Sequence, residues 1–118
     1  MSLLDTTQLA LESAMSGSML RQSLLANNLA NVDTPGYQPQ DVNFQGTLAN
    51  AISSGQSPSQ VSFQPVTENQ TVSADGNGVS SEQQSAQLAE NGLLYQTLTQ
   101  VAAQRESILE QAMGVGQS

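Results

Sequence analysis

Residues 24–37 read Leu24-Leu25-Ala26-Asn27-Asn28-Leu29-Ala30-Asn31-Val32-Asp33-Thr34-Pro35-Gly36-Tyr37. Leu25, Leu29 and Val32 step by four and three, the spacing that stacks side chains on one helical face. Thr34 precedes a proline and is pushed out of the α region, and Pro35-Gly36 fits the centre of a type II turn. Asn27, Asn28 and Asn31 occupy helical positions that propensity alone would fill with Ala, Glu or Lys. Asn27 and Asn31 are i,i+4 neighbours, able to tie adjacent groups by amide hydrogen bonds. The stretch predicts a helix end buried in a polar interface, followed by a sharp turn.

Toward the N-terminus the same 4,3 series continues through Leu4, Leu11 and Met15, interrupted by Gln8, Ser18 and Gln22. That is an apolar stripe with a polar gap at its centre. Asp5 with Gln8 three residues later reads as an N-cap and its partner. The spacing predicts a helix over residues 5–32, a rod of about 42 Å. Its start, Met1-Ser2-Leu3-Leu4-Asp5, has neither a basic region nor a continuous apolar run, so no cleaved secretory signal is expected.

Toward the C-terminus a second helix is predicted over 81–113, about 50 Å long. Leu94, Leu98, Val101, Ile108, Ala112 and Val115 form a 4,3 series broken only by Arg105, and Leu88, Tyr95, Ala102 and Leu109 widen the stripe to one side. Ser80 with Gln83 reads as a capping box, Gly114 as the stop, and Gly92 as a weak point. Between the helices lie all four prolines and five of the nine glycines. There Val42/Phe44 and Val61/Phe63 alternate as short strands do, and Thr47–Ile52 fits a turn or two of helix.

The expected fold class is mainly α: an N-terminal helical segment over 1–34, an irregular and partly extended connector over 35–79, and a C-terminal helical segment over 80–118. Two helices in a hairpin bury one seam and leave much of the wider C-terminal stripe open. The chain is therefore expected to order fully only beside neighbours.

Composition narrows the function. Among 118 residues there are ten carboxylates and two arginines, a formal charge of −8, while Lys, His, Cys and Trp are absent. Gln, Ser, Asn and Thr together supply 49 residues. Without imidazole, thiolate or primary amine there is no ordinary nucleophile–base set, no thiolate metal site and no disulfide, so no enzyme and no cofactor is expected. Two cations cannot neutralise a nucleic-acid backbone. No apolar run is long enough to span a membrane. What remains is an interaction protein.

Several side chains have ordinary readings beside functional ones. Asp75-Gly76-Asn77-Gly78 with Glu82 fails as a calcium loop, because Val79 and Ser80 stand where an oxygen ligand and a glycine are needed. Glu106 and Glu110 form an i,i+4 pair normal on a solvated face. Arg21 and Arg105 have no acid three or four residues away, so each is either solvated or reserved for an inter-helix or inter-subunit salt bridge. Tyr37 can anchor the connector or a neighbour through its polar tip.

The run Asn27-Asn28-Leu29-Ala30-Asn31-Val32-Asp33-Thr34-Pro35-Gly36-Tyr37 resembles the N-terminal signature of flagellar rod, hook and hook-associated axial proteins. Asp75-Gly76-Asn77-Gly78-Val79, Leu88-Ala89-Glu90-Asn91 and Leu94-Tyr95-Gln96-Thr97-Leu98-Thr99-Gln100 are similar to the C-terminal pattern of the flagellar basal-body rod protein family, in particular its proximal members. The resemblance covers roughly residues 10–45 and 74–113. It implies terminal helices paired as a coiled coil, helical assembly into a torque-transmitting rod, and no catalysis. It also implies export through the flagellar type III apparatus without a cleaved signal, and a place in the periplasmic part of the basal body. The implied partners are other rod subunits and copies of the chain itself, with the MS ring and rod adaptor at the base. Asn27, Asn28, Ala30, Asn31, Thr34, Pro35, Gly36 and Tyr37 are then the assembly motif. Leu11, Met15, Leu25, Leu29, Val32, Leu94, Leu98, Val101 and Ile108 are the expected packing interface; Arg21 and Arg105, on their own spacing, stay open between solvation and an inter-helix or inter-subunit salt bridge. The alternatives are another short axial subunit, or a small acidic helical adaptor that binds one partner helix.

Overall fold

The computed structural model describes residues 5–68 and 81–116. The elements are helix α1 (Thr6–Ala30), strand β1 (Gln40–Asp41), helix α2 (Phe44–Ser53), a 3₁₀ turn (Pro58–Gln60), strand β2 (Val66–Thr67) and helix α3 (Ser81–Gly116). The molecule measures 67 × 27 × 14 Å.

Helix α1 begins where Asp5, in extended backbone, accepts the Gln8 amide at 2.9 Å. Its last residue is Ala30, two short of the expected end, and Asn31 caps it. The Asn31 side chain donates to the Asn27 carbonyl at 2.8 Å and accepts the Thr34 hydroxyl at 3.1 Å, so the asparagine itself closes the last turn. The chain then reverses at Thr34–Tyr37. The Tyr37 amide donates to the Thr34 carbonyl at 3.2 Å, and Gly36 has φ +78°, as a type II turn requires.

The connector folds back along α1. Here the expected short strands at Val42/Phe44 and Val61/Phe63 are corrected, while the turns of helix expected over Thr47–Ile52 lie within α2. β1 and β2 pair antiparallel, Gln40 opposite Thr67 and Asp41 opposite Val66, while Phe44 opens α2 and Val61 and Phe63 lie outside any strand. Two local interactions decide this. Asn43 caps α2 by accepting the Gly46 amide at 3.1 Å. Phe44 packs onto α1 at Gly17, where an added Cβ would come within 2.5 Å of the Phe44 Cβ. Phe63 meets the Phe44 ring edge-on, with centroids 6.3 Å apart. Val42, Phe44, Leu48 and Ala51, with Leu24 of α1, form the apolar core on this flank.

Helix α3 is 36 residues long and antiparallel to α1, pairing Asp5 with Arg105, Ser18 with Asn91 and Asn28 with Gln84. It passes through Gly92 without a break and runs beyond Gly114 to Gly116. The expected capping residue Ser80 and the Asp75–Val79 turn lie outside the described residues.

Candidate assembly interface

On α1 the buried and half-buried row facing α3 is Gln8, Leu11, Met15, Ser18, Gln22, Leu25 and Leu29, the 4,3 series of the sequence, with Leu25 fully buried. On α3 the facing row is Gln84, Leu88, Asn91, Tyr95, Leu98, Ala102, Arg105 and Leu109, all buried or half-buried. These too step by four and three, and they share Leu98 and Arg105 with the series read from Leu94, while Tyr95, Ala102 and Leu109, the residues that widen that stripe, take the seam in place of Leu94, Val101 and Ile108. Gln84 and Asn91, common to both series when the spacing is carried back, stand opposite the polar part of α1. Asn91 donates to the Ser18 carbonyl and to Gln22 Oε1, both at 2.8 Å, and faces the Ser18 hydroxyl at 3.4 Å. Leu98 remains in the seam and Leu94 is half-buried at its edge. Val101 and Ile108 stand 44% and 59% exposed, outside the intrachain seam.

Asn28 is the centre of the motif. It is 1% exposed, and both its donor hydrogens and both its acceptor directions are used. Nδ2 donates to the Gln40 carbonyl at 2.8 Å and to Gln84 Oε1 at 3.2 Å. Oδ1 accepts the Tyr37 hydroxyl and the Gln40 amide, each at 3.1 Å. One side chain thus fastens α1 to the turn, to β1 and to α3. Asn31 and Thr34 hold the helix end, and Pro35 and Gly36 aim Tyr37 back at Asn28. Asn27 and Ala30 are exposed on the outer face. Val32 is half-buried just past the helix end.

The two arginines are paired within the chain, Arg105 in the inter-helix form of the two bridges expected for it. Arg21 makes a two-pronged bond to Asp41 at 2.8 and 3.2 Å and so pins β1 to α1. Arg105, in the α3 seam row, pairs with Asp5. The Gln8 backbone amide and then Arg105 hold the Asp5 carboxyl below its ordinary value. Asp5 is thus both the cap of α1 and the anchor of α3. Glu12, Asp33, Glu82, Glu90, Glu106 and Glu110 are exposed. Since both arginines are engaged, the open surface is acidic.

Sequence reading did not identify Gln84 and Asn91 as seam residues or Gln40 as a partner of Asn28. The available signal was the 4,3 spacing of α3 carried back from Leu98 and Leu94, which reaches Asn91 and Gln84. Among the described residues no cluster of three Asp, Glu, His or Cys could hold a metal, and no helix is long and apolar enough to cross a membrane. What the site offers is shape, amide hydrogen bonding and an open apolar row.

Comparison with known proteins agrees with that chemistry. Residues 9–38, most of α1 with its turn, match the family model described as Flagella basal body rod protein. The flagellar basal body rod protein FlgB of Bacillus subtilis (strain 168) is 31% identical over 112 residues, which span 85% of this chain and 87% of that protein. Its namesakes in Escherichia coli (strain K12) and Salmonella typhimurium are 30% and 29% identical, covering 64% and 80% of this chain and 70% and 83% of their own length. The match extends well beyond the Asn28–Tyr37 motif and takes in the α3 half, so the chain belongs to the FlgB family of flagellar basal body rod proteins.

Proposed function

We propose that this chain is a structural subunit of the proximal rod, built into a helical array that passes torque from motor to hook. Membership of a basal body rod family carries a place in the flagellar basal body and assembly with other rod subunits. The finer assignments belong to the proposal: neighbours that include copies of this chain, contact with the MS ring and rod adaptor at the base, a periplasmic position, and delivery by the flagellar export apparatus without a cleaved signal.

The observation that carries the reading is the open row on α3. Leu93, Val101 and Ile108 are 65%, 44% and 59% exposed on the same helix, outside the row that is engaged with α1. Long helices draw their stability from packing, and an exposed apolar row of this kind marks a protein contact. A rigid shaft needs each subunit held on several sides. The intrachain seam and the outward row together give α3 two such sides.

The test is purification of intact hook–basal bodies from the source cells and detection of the chain by mass spectrometry after stringent washing. Retention supports the proposal, and absence from otherwise complete basal bodies rejects it. A double substitution, Val101→Gln with Ile108→Gln, sharpens the result. Both side chains are exposed in the single chain, so its thermal stability should change by no more than ~0.5 kcal/mol while incorporation into basal bodies is lost. Normal incorporation of the double variant would remove the α3 row from the interface.

A further inference from the structure

A second surface lies on the other side of the hairpin. Gly92 and Val101 are nine residues apart on α3, half a turn round the helix, so they face opposite ways. Around Gly92 the two helices frame an open groove of ≈ 530 Å³, floored by Met19, Ala26, Gly92 and Tyr95, with Gln22 and Gln96 at its edges. A glycine in a helix interior is disfavoured against alanine. Among the described residues nothing calls for it, because an added Cβ at Gly92 would meet only Gln22 Nε2 at 3.8 Å, an ordinary contact. The missing side chain leaves room for an incoming one. Met19, 59% exposed, is an adaptable wall for it.

Charge says what enters. Glu12 precedes Met19 by one heptad on the same face of α1, about 10 Å along the groove. On α3 the row of Gly92 and Gln96 continues through Thr99 and Ala103 to Glu106 and Glu110, about 21 and 27 Å from Gly92 in the same direction. All three glutamates are exposed. A helix seated over Gly92 and running this way passes from an apolar floor onto carboxylates. A second copy of this chain cannot answer them, since its two side-chain cations are already paired with Asp41 and Asp5.

We infer that the groove over Gly92 seats a helix from a different chain, one with a bulky apolar anchor and Lys or Arg about 7 to 18 residues further along. Such a helix completes a three-helix arrangement, and its cations meet Glu12, Glu106 and Glu110. The inference goes beyond the rod proposal and concerns the face opposite the Val101–Ile108 row.

The test uses the purified full chain and two fluorescent helical peptides with the same leucine stripe, one carrying lysines and the other glutamates at the positions predicted to meet the acids. Fluorescence anisotropy should show the lysine peptide binding about tenfold tighter, with the advantage shrinking as salt rises. Gly92→Leu should abolish binding while circular dichroism keeps its helical signal. Ser23→Arg, an exposed change at the groove wall, should weaken the lysine peptide and favour the glutamate peptide. Equal affinities, binding by neither peptide, or binding indifferent to both variants would overturn the inference. So would a dimer of the chain itself, promoted by salt and lost in Gly92→Leu, which would make the occupant a second copy. The assay needs no basal body, so its failure leaves the rod assignment to be judged on incorporation alone.

Discussion

The flank of α1 that meets the connector and the flank that meets α3 are held by different chemistry. On the connector side Phe44, Val42, Leu48 and Ala51 close an apolar core over Gly17 and Leu24. On the α3 side the seam alternates apolar layers with amides: Leu25 beside Ser18, Gln22 and Asn91, and Asn28 against Gln84. Apolar burial is strong but non-directional, whereas amide layers add little net energy and fix which residue faces which. A seam of leucines could slide by a heptad at small cost. This one cannot slide without stranding Asn91 and Asn28. The connector core is the more apolar of the two flanks, and the amides set the register in which α3 presents its outer row. Asn28 joins the two flanks, bonded to Gln40 on one side and Gln84 on the other.

The largest expected effect is on the connector side. Phe44→Ala should destabilise the chain by about 3–5 kcal/mol in urea unfolding, comparable to the whole stability of a domain this small. The glycine opposite cannot close the void. Asn28→Ala comes next, at about 2–3 kcal/mol, because it strands the Tyr37 hydroxyl, both backbone groups of Gln40 and Gln84 Oε1. If Asn28→Ala costs more than Phe44→Ala, the ranking of the two flanks is reversed. Asn91→Leu separates energy from register. Stability should fall by about 1–2 kcal/mol, less than for Asn28→Ala, because leucine gains apolar burial but leaves the Ser18 hydroxyl and Gln22 Oε1 without their partner. Doubled amide resonances for α1 and α3 should then report a second register. A single set of sharp resonances would show that the apolar layers fix the alignment unaided.

The parts legible in the sequence are those decided by near neighbours. The α1 row from Gln8 to Leu29, the Asp5 cap and the Pro35-Gly36 turn each depend on residues within four positions, and each stands where the spacing put it. On α3 the spacing offers two overlapping rows, and hydropathy favours Leu94, Val101 and Ile108 over Tyr95 and Ala102, the residues that enter the seam. What buries the amides is a partner 73 residues away for Asn91 and 56 for Gln84. The arginines hide in the same way, their acids lying 20 and 100 residues off. Phe44 was read as strand from its alternation with Val42. The deciding facts, the Asn43 cap and the space over Gly17, belong one to a capping side chain and one to another helix. The motif at 27–37 was recognisable by resemblance, but the fourfold use of Asn28 appears only once Gln40 and Gln84 are in place.

The smallest effect lies at the far end of the seam, where Asp5 serves both helices. Its carboxyl is held below the ordinary value, first by the Gln8 amide and then by Arg105, so the folded chain favours the ionised form more than the unfolded chain does. The sign follows. Protons bind the unfolded state more readily, so the contribution of Asp5 is complete above the ordinary carboxylate value, ~4, and drains away as pH falls through the lower folded value. Asp5→Asn keeps a capping oxygen and removes the charge, so it isolates this term. Melting curves of the two chains should differ at neutral pH and converge on acidification below about pH 4. High salt should shrink the neutral-pH gap, because both side chains of the Asp5–Arg105 pair are about one-third exposed. A gap that persists undiminished in acid would mean that Asp5 holds the seam end by geometry alone, and that charge adds nothing to the amides in fixing how α3 lies on α1.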